Sequence, residues 1–398
     1  MRVTQGLEQQ QFVTELDQLE SNVSQTQAQI SSGLSFTTAA QNPVAAGLVT
    51  NYNQALAQSQ QYVTNSNAAQ GTLNIEDSAL TQVQNQLQSL RDLALEANNS
   101  DESTQDLGEI ATQAVQIQNS LLSLANTQDG NGEYIFGGYA TQTPPFALSA
   151  TGATYSGDQG QRQVRIAAGQ TVVAADNGDL VFNQIKTGNG TFQATAAAGN
   201  TGSGVIGAAT VTDPADYNGG TYSIDFTAPD TYQVLNAAHN VVTSGTYTSG
   251  QAISFAGVQV TLTGQPATDD SFTVAPSANQ SLFTTVQNFV TALQTPATTP
   301  AAQAQLSNSI NGTVNNIDQA LAQTETVQAS VGARLNTITT QQSVATTQQT
   351  QLQQSISNLQ SLDYASAITS LDDQNTVLSA AMQAYTMTQG LSLFKYIQ

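Results

Sequence analysis

Two stretches of this chain space their apolar residues with the same alternation. Tyr364, Ile368, Leu371, Asn375, Leu378, Met382 and Tyr385 follow one another at steps of 4, 3, 4, 3, 4 and 3. Near the start, Phe12, Leu16, Leu19, Val23, Thr26 and Ile30 step by 4, 3, 4, 3 and 4. A mean step of 3.5 residues keeps one stripe of a helix turned toward a partner helix. Asn375 is the one polar residue inside the later stripe, and Thr26 the one in the earlier stripe. A single polar residue in an apolar seam lowers stability but penalises wrong registers, because only the correct pairing satisfies it. The two ends therefore read as helical partners with the rest of the chain looped out between them. An ordinary intramolecular bundle would show the same stripes.

Between the ends the texture changes twice. Of the nine prolines only Pro43 precedes Pro144 and none follows Pro300, while seventeen of the 29 glycines fall between 141 and 280. Helical flanks around a turn-rich β middle are expected. Pro43 suits the first position of a second helix running to about Asn67 or beyond. Asn74 reads as the cap of a third helix with Leu80, Val83, Leu87 and Leu90 on its face, and Ile110, Ala114, Ile117 and Leu121 mark a fourth. Tyr134 to Phe136 reads as a strand. Gln163–Ile166 and Leu180–Phe182 read as strands joined across Asn177-Gly178. Thr191 to Gly207 is poorly patterned and reads as a linker. Tyr222, Ile224 and Phe226 alternate with Ser223 and Asp225, and Tyr232–Val234, Ile253–Phe255, Val258–Leu262 and Phe272–Val274 complete a small antiparallel unit. Helix resumes near Gln280, is interrupted from Thr295 to Pro300, and breaks again at Leu362–Tyr364.

Composition narrows the function. Seven Lys and Arg against 28 Asp and Glu give a formal net charge of -21. No basic patch could neutralise a run of phosphates, which excludes nucleic acid and anionic membrane surfaces as partners. With only 9% charged residues, the surface is built of Gln, Asn, Ser and Thr. Such a surface suits self-association, though composition alone slightly favours a solvated acidic surface that aids solubility. No cysteine is present, so disulfides and thiolate metal sites are excluded. No stretch approaches the ~20 apolar residues of a membrane span. The first residues lack the apolar run of a cleaved signal peptide, so export, if it occurs, is expected by another route.

Catalytic constellations are sparse. His239 is the sole histidine, which rules out Ser-His-Asp triads and multi-histidine metal sites. Asp158, Asp179, Asp213, Asp225 and Asp269-Asp270 could pair as glycosidase carboxylates, but there is no tryptophan and no aromatic-rich cleft pattern. Asp129-Gly-Asn-Gly-Glu133 lacks the alternating ligands of a calcium loop and reads as a turn. The expectation is a protein without catalysis, metal or cofactor.

Specific phrases carry a resemblance. Ile30-Ser-Ser-Gly-Leu34, Leu90-Arg-Asp-Leu-Ala94, Gly132-Glu-Tyr-Ile-Phe-Gly-Gly-Tyr139, Tyr155-Ser-Gly-Asp158 with Arg162, Gly332-Ala-Arg-Leu-Asn336 and Leu391-Ser-Leu-Phe-Lys-Tyr-Ile397 are distributed over both ends. Together they resemble the hook–filament junction family of bacterial flagellar axial proteins, the FlgL family. Gln41-Asn42-Pro43 departs from the family's acidic Ser-Asp-Asp-Pro. The β segment from about 213 to 276 looks like an added domain and resembles the neighbouring junction protein FlgK.

The resemblance implies an α+β fold, with long N- and C-terminal helices paired in a flagellin-like bundle or coiled coil and one or two small antiparallel β domains in the middle. The expected division is 1–40 (N-terminal axial helix), 41–140 (helical), 141–210 (first β domain), 211–278 (second, inserted β domain), 279–362 (helical) and 363–398 (C-terminal axial helix). It implies an extracellular structural adapter between hook and filament, self-associating in a ring or helix. Its expected partners are a FlgK-like protein, flagellin and a FlgN-like export chaperone on the C-terminal helix. The interface residues it implies are the two stripes, without Thr26, together with Leu391, Leu393 and Phe394. Flagellin itself, a FlgK-like protein, or a secreted carbohydrate-binding or hydrolysing protein are the competing readings.

Overall fold

The computed structural model describes residues 2–99 and 103–390. The described residues form short antiparallel strands and six α-helices: α1 (Arg2–Ser32), α2 (Pro43–Ala97), α3 (Thr104–Ala125), α4 (Leu282–Gln294), α5 (Pro300–Gln360) and α6 (Tyr364–Gly390). The chain divides into a terminal unit, 1–64 with 341–398, and a central unit, 65–340; the division falls within α2 and α5.

The terminal unit is an antiparallel arrangement of helices. Its α1 turns at Gly33, whose positive φ of 72° suits glycine, and a Cβ there would stand 2.8 Å from the Tyr364 hydroxyl. Backbone bonds from Ser35 N to Gln360 O (2.7 Å) and Leu362 N to Gly33 O (3.0 Å) tie this turn to the break between α5 and α6. The side chain of Asp363 caps α6 by accepting from Ala365 N (3.0 Å). Asn42 does the same for α2 through Ala45 N (3.0 Å), with Pro43 at the first helical position. Where the resemblance leads one to expect acids, the neutral Gln41 accepts from Thr37 N (2.5 Å) and Thr38 N (3.2 Å), closing the turn without an ion pair. Phe36, Ala45 and Val49 form a small core, with Ile356 and Leu359 packed against it.

The central unit holds two larger cores. The first joins helices to short strands: β1 (Phe146–Ser149) with β2 (Gly152–Tyr155), β3 (Gln163–Ala167) with β4 (Gln170–Val173), and β5 (Ile185–Lys186) with a late strand, Asn279–Gln280. At its centre Phe182 meets Phe136 (5.2 Å between centroids) and Phe146 (5.4 Å), and Phe146 meets Phe283 of α4 (5.3 Å). Gly152 lets β2 lie against the α4 backbone, because a Cβ would sit 2.6 Å from Phe283 O. The second core lies among strands β6 (Phe192–Ala196), β7 (Val205–Val211), β8 (Tyr222–Ala228), β9 (Thr231–Asn236), β10 (Val241–Thr246), β11 (Ala252–Phe255), β12 (Val258–Thr263) and β13 (Ser271–Pro276); Asn279–Gln280 is β14. They form a five-stranded sheet, β10-β9-β8-β13-β6, and a three-stranded one, β11-β12-β7. The alternation of β8 is as expected: Tyr222, Ile224 and Phe226 are buried, Ser223 and Asp225 less so.

Several expectations change. No helix starts at Asn74; α2 is continuous, because the buried row Ala69, Leu73, Glu76, Leu80, Val83, Leu87, Leu90, Ala94 and Ala97 runs through that point. Glu76 at a core position hid the continuity. Tyr134–Phe136 is not a strand: Ile135–Gly137 is a 3-10 turn with Ile135 and Phe136 both buried, a demand that alternation cannot meet. Strand β3 pairs with β4 across Gly169 (φ 75°), not with Leu180–Phe182, which lies in a π turn, Asp179–Asn183. Thr191 to Gly207 is no linker. It contributes β6, paired with β13, and the start of β7, paired with β12. Alanines at 194 and 196 pack against the second core without leaving a legible stripe. The span 141–210 is accordingly divided: its first part completes the helical core, and its second belongs to the β layers.

Candidate assembly interface

Helix α1 presents its stripe as expected. Val23 and Thr26 are buried and Phe12, Leu16, Leu19 and Ile30 are half-buried. The facing helix is α6, and the pairing is antiparallel: Phe12 stacks on Tyr385 (5.5 Å, 11° between planes), and Thr26 Oγ1 donates to Gln374 Oε1 (3.0 Å).

On α6 the seam is displaced from the expected stripe. Leu371, Leu378 and Tyr385 are half-buried, together with Gln374 and Ala381, and Ala367 is buried. Tyr364, Ile368, Asn375 and Met382 are exposed, Ile368 by 50% and Met382 by 43%. The 4-3 spacing had merged two neighbouring rows of the helix. The row that packs with Leu371, Leu378 and Tyr385 is Ala367, Gln374 and Ala381. Small alanines admit the bulky α1 side chains, and a reading weighted toward large residues passes over them. The polar residue satisfied across the seam is thus Gln374, not Asn375. Leu391, Leu393 and Phe394 lie outside the described residues.

Among the described residues, helix α6 therefore has two apolar rows and packs chiefly on one helix, α1. The second row, Tyr364, Ile368 and Met382 with Asn375 among them, turns outward, as do Val377 and Met387. Seven acids (Glu8, Glu15, Asp17, Glu20, Asp363, Asp372 and Asp373) and no Lys or Arg lie between residues 3 and 64 or 341 and 390.

The other family phrases serve internal structure. Asp158 accepts from Tyr139 N (3.0 Å) and Gly160 N (2.7 Å), and these backbone donors hold its carboxyl below the usual range. The Tyr155 hydroxyl donates to Phe136 O (3.1 Å) and Asp158 O (2.7 Å); burial pushes it up to about 12. Arg162 pairs with Glu133 (2.7 Å). The Gly132–Tyr139 and Tyr155–Arg162 phrases are thus one lock. Arg334, in Gly332–Asn336, pairs with Asp176 and reaches Val173 O (3.3 Å).

A set of α5 amides that no motif announced fastens the β layers. Asn308 accepts from Ile206 N (2.7 Å) and donates to Gly204 O (3.0 Å). Asn311 donates to Ile206 O (2.9 Å), Gln305 to Ala197 O (2.8 Å), and Asn316 accepts from Gly188 N (2.8 Å). Their 3- and 5-residue spacing on one helix was the available signal.

The carboxylates considered for catalysis are engaged locally. Asp270 accepts from Thr201 N, Gly202 N and Ala267 N, Asp179 from Gln159 and Gln184, and Asp213 from Ala215 N. Asp129 closes its turn through Asn131 N (2.8 Å) and Glu133 N (3.0 Å). His239 sits in a turn at φ 58°. Among the described residues no three His, Asp or Glu side chains gather as a metal site.

Comparison with known proteins supports the helical ends and the β middle. Residues 3–141 match the bacterial flagellin N-terminal helical region and residues 314–397 its C-terminal helical region. Residues 195–276 match the D2-like domain of flagellar hook-associated protein 1. Flagellar hook-associated protein 3 of Escherichia coli K12 is 26% identical over 372 residues, covering 92% of this chain and 90% of the relative. Among solved structures, FlgL of Xanthomonas campestris is 34% identical with a TM-score of 0.73, covering 77% of this chain and 99% of that one. Hook-associated protein 3 of Legionella pneumophila is 29% identical with a TM-score of 0.75, covering 78% and 98%. With the paired terminal helices, the β middle and relatives matched along nearly their whole length, the chain belongs to the flagellar hook-associated protein 3, or FlgL, family.

Proposed function

We propose that this protein is a non-catalytic structural adapter of the flagellum that joins the hook, through a FlgK-like protein, to the flagellin filament. The observation that carries the reading is the unfilled second row of α6. Burying an apolar side chain of this size contributes about 1.5–3 kcal/mol, so completing the half-exposure of Tyr364, Ile368 and Met382 adds roughly 1 kcal/mol each. Ile368 and Met382, two heptads apart with Asn375 between them, fit a further helix. Neighbouring axial subunits supply one on either side, and copies of this chain complete the ring or helical array. Before assembly the same row needs cover, which is the role of a FlgN-like chaperone on α6 and the residues beyond it, Leu391, Leu393 and Phe394. In this reading the assembled protein lies outside the cell, as part of the flagellum.

The test is to add labelled, purified protein to isolated hooks carrying the FlgK-like protein and image the label. Binding confined to the distal tip, followed by filament growth from added flagellin, is expected. Absence of tip binding would sink the adapter role.

A further inference from the structure

One titratable group in the central unit has no part in the axial interface. Glu76 occupies a core position of α2, between Leu73 and Leu80, with 0% exposure. Its Oε1 accepts from Asp176 N (3.2 Å), and its Oε2 has no partner. Asp176, itself buried, pairs with Arg334 of α5. Two buried carboxyl groups thus lie near one guanidinium, which pairs with Asp176. Between α2 and α5 they hold Val173–Gly178, the segment that runs on from the last residue of β4. Arg334 donates to Val173 O (3.3 Å), Ala174 N to Arg162 O (2.8 Å), and Asn177 Nδ2 to Gln159 O (3.1 Å).

Burial, reinforced by the Asp176 charge and opposed by Arg334, pushes Glu76 up to about 8. Arg334 is already committed to Asp176, so the proton of the pair rests on Glu76. Other nearby charges are occupied elsewhere: Asp77, next on α2, accepts from Gln328 Nε2 (2.9 Å), and Glu133 and Arg162 pair with each other.

We propose that Glu76, Asp176 and Arg334 form a proton-held latch: protonated Glu76 lets residues 173–178 seat between α2 and α5, and losing that proton in alkaline solution releases the segment while the helices around it stay folded. Deprotonation gives the proton to water and takes the cluster from neutral to one uncompensated negative charge. A buried unpaired charge is costly. Of the three groups, Asp176 alone rides on a short non-helical segment, so water reaches the excess charge by that segment moving out.

The test uses the full-length protein with its glutamate carboxyl carbons isotopically labelled, followed by NMR from about pH 5 to about pH 10, with Glu76→Gln assigning the signal. Glu76 should titrate with a midpoint near 8. Across that midpoint the amides of 173–178, corrected for intrinsic exchange, should lose protection by about tenfold or more, and Glu76→Gln should retain it. An ordinary carboxylate midpoint, or equal loss in Glu76→Gln, overturns the latch. If Glu76→Gln does not fold, wild-type spectra decide: protection that persists through the Glu76 midpoint overturns it equally.

Discussion

Two helices of this chain carry heptad rows of equal regularity and opposite fate. In α2 the row from Ala69 to Ala97 is buried throughout, including the ionisable Glu76. In α6 one row is half-covered by α1, and the next, with Ile368 and Met382, faces outward. Local periodicity is the same; the number of partners differs. In the central unit α2, α3, α4, α5 and the Phe136–Phe146–Phe182–Phe283 cluster enclose each other within a single chain. Among the described residues of the terminal unit, α6 packs chiefly on α1, along one of its two rows. A stripe therefore fixes which face of a helix is apolar, but not whether that face is satisfied by its own chain.

The comparison can be broken most forcefully at the aromatic cluster. Phe283→Ala removes the ring that joins α4 to β1 and the π turn and should cost about 3–5 kcal/mol. The loss should appear in the denaturation of the central unit, and an unchanged midpoint would contradict a closed core there. A second large effect is pH-linked. The folded protein holds a proton on Glu76 that the unfolded chain releases near 4.5, so its contribution is full below 4.5 and lost as pH rises toward 8. Denaturant titrations should show stability falling by a few kcal/mol over that window, with Glu76→Gln flattening the slope. A smaller effect is expected at the amide fastening. Asn308→Ala strands Ile206 N and Gly204 O and should cost about 1–3 kcal/mol, raising exchange in β7 while α1 and α6 are untouched. Smaller still, Gln374→Leu should cost about 1 kcal/mol through its bond with Thr26, whereas Asn375→Leu should leave the monomer unchanged. Equal effects would refute the register described for the seam.

The parts legible from the chain were those with large residues at regular spacing. The α1 stripe and the strands around Tyr222–Phe226 and Val258–Leu262 needed only periodicity, since bulky side chains mark the buried face. What escaped was built from small or polar residues in core positions. Ala367 and Ala381 define the real face of α6, Ala194 and Ala196 place β6 in a sheet, and Glu76 interrupts an apolar row that is structurally unbroken. Each is a case where the partner, not the residue, decides burial. The α5 amides were invisible for a related reason: Asn308 and Asn311 act through the backbone of residues about a hundred positions earlier.

The family phrases also divide by location. Those around Tyr139, Asp158 and Arg334 serve internal locks, so they identify the fold without marking the interface. The displaced seam changes which variant is informative. Leu378→Asp would disturb both α1 packing and any outer partner, and its failure to assemble could have either cause. Ile368 and Met382 separate the two.

The decisive measurement is incorporation of the Ile368→Asp, Met382→Asp double variant at hook tips carrying the FlgK-like protein, beside its thermal midpoint. The account predicts a monomer within about 0.5 kcal/mol per site of the native one, with tip binding and filament outgrowth lost. A variant that folds normally and still seeds filaments would contradict the assignment of the outer α6 row to assembly.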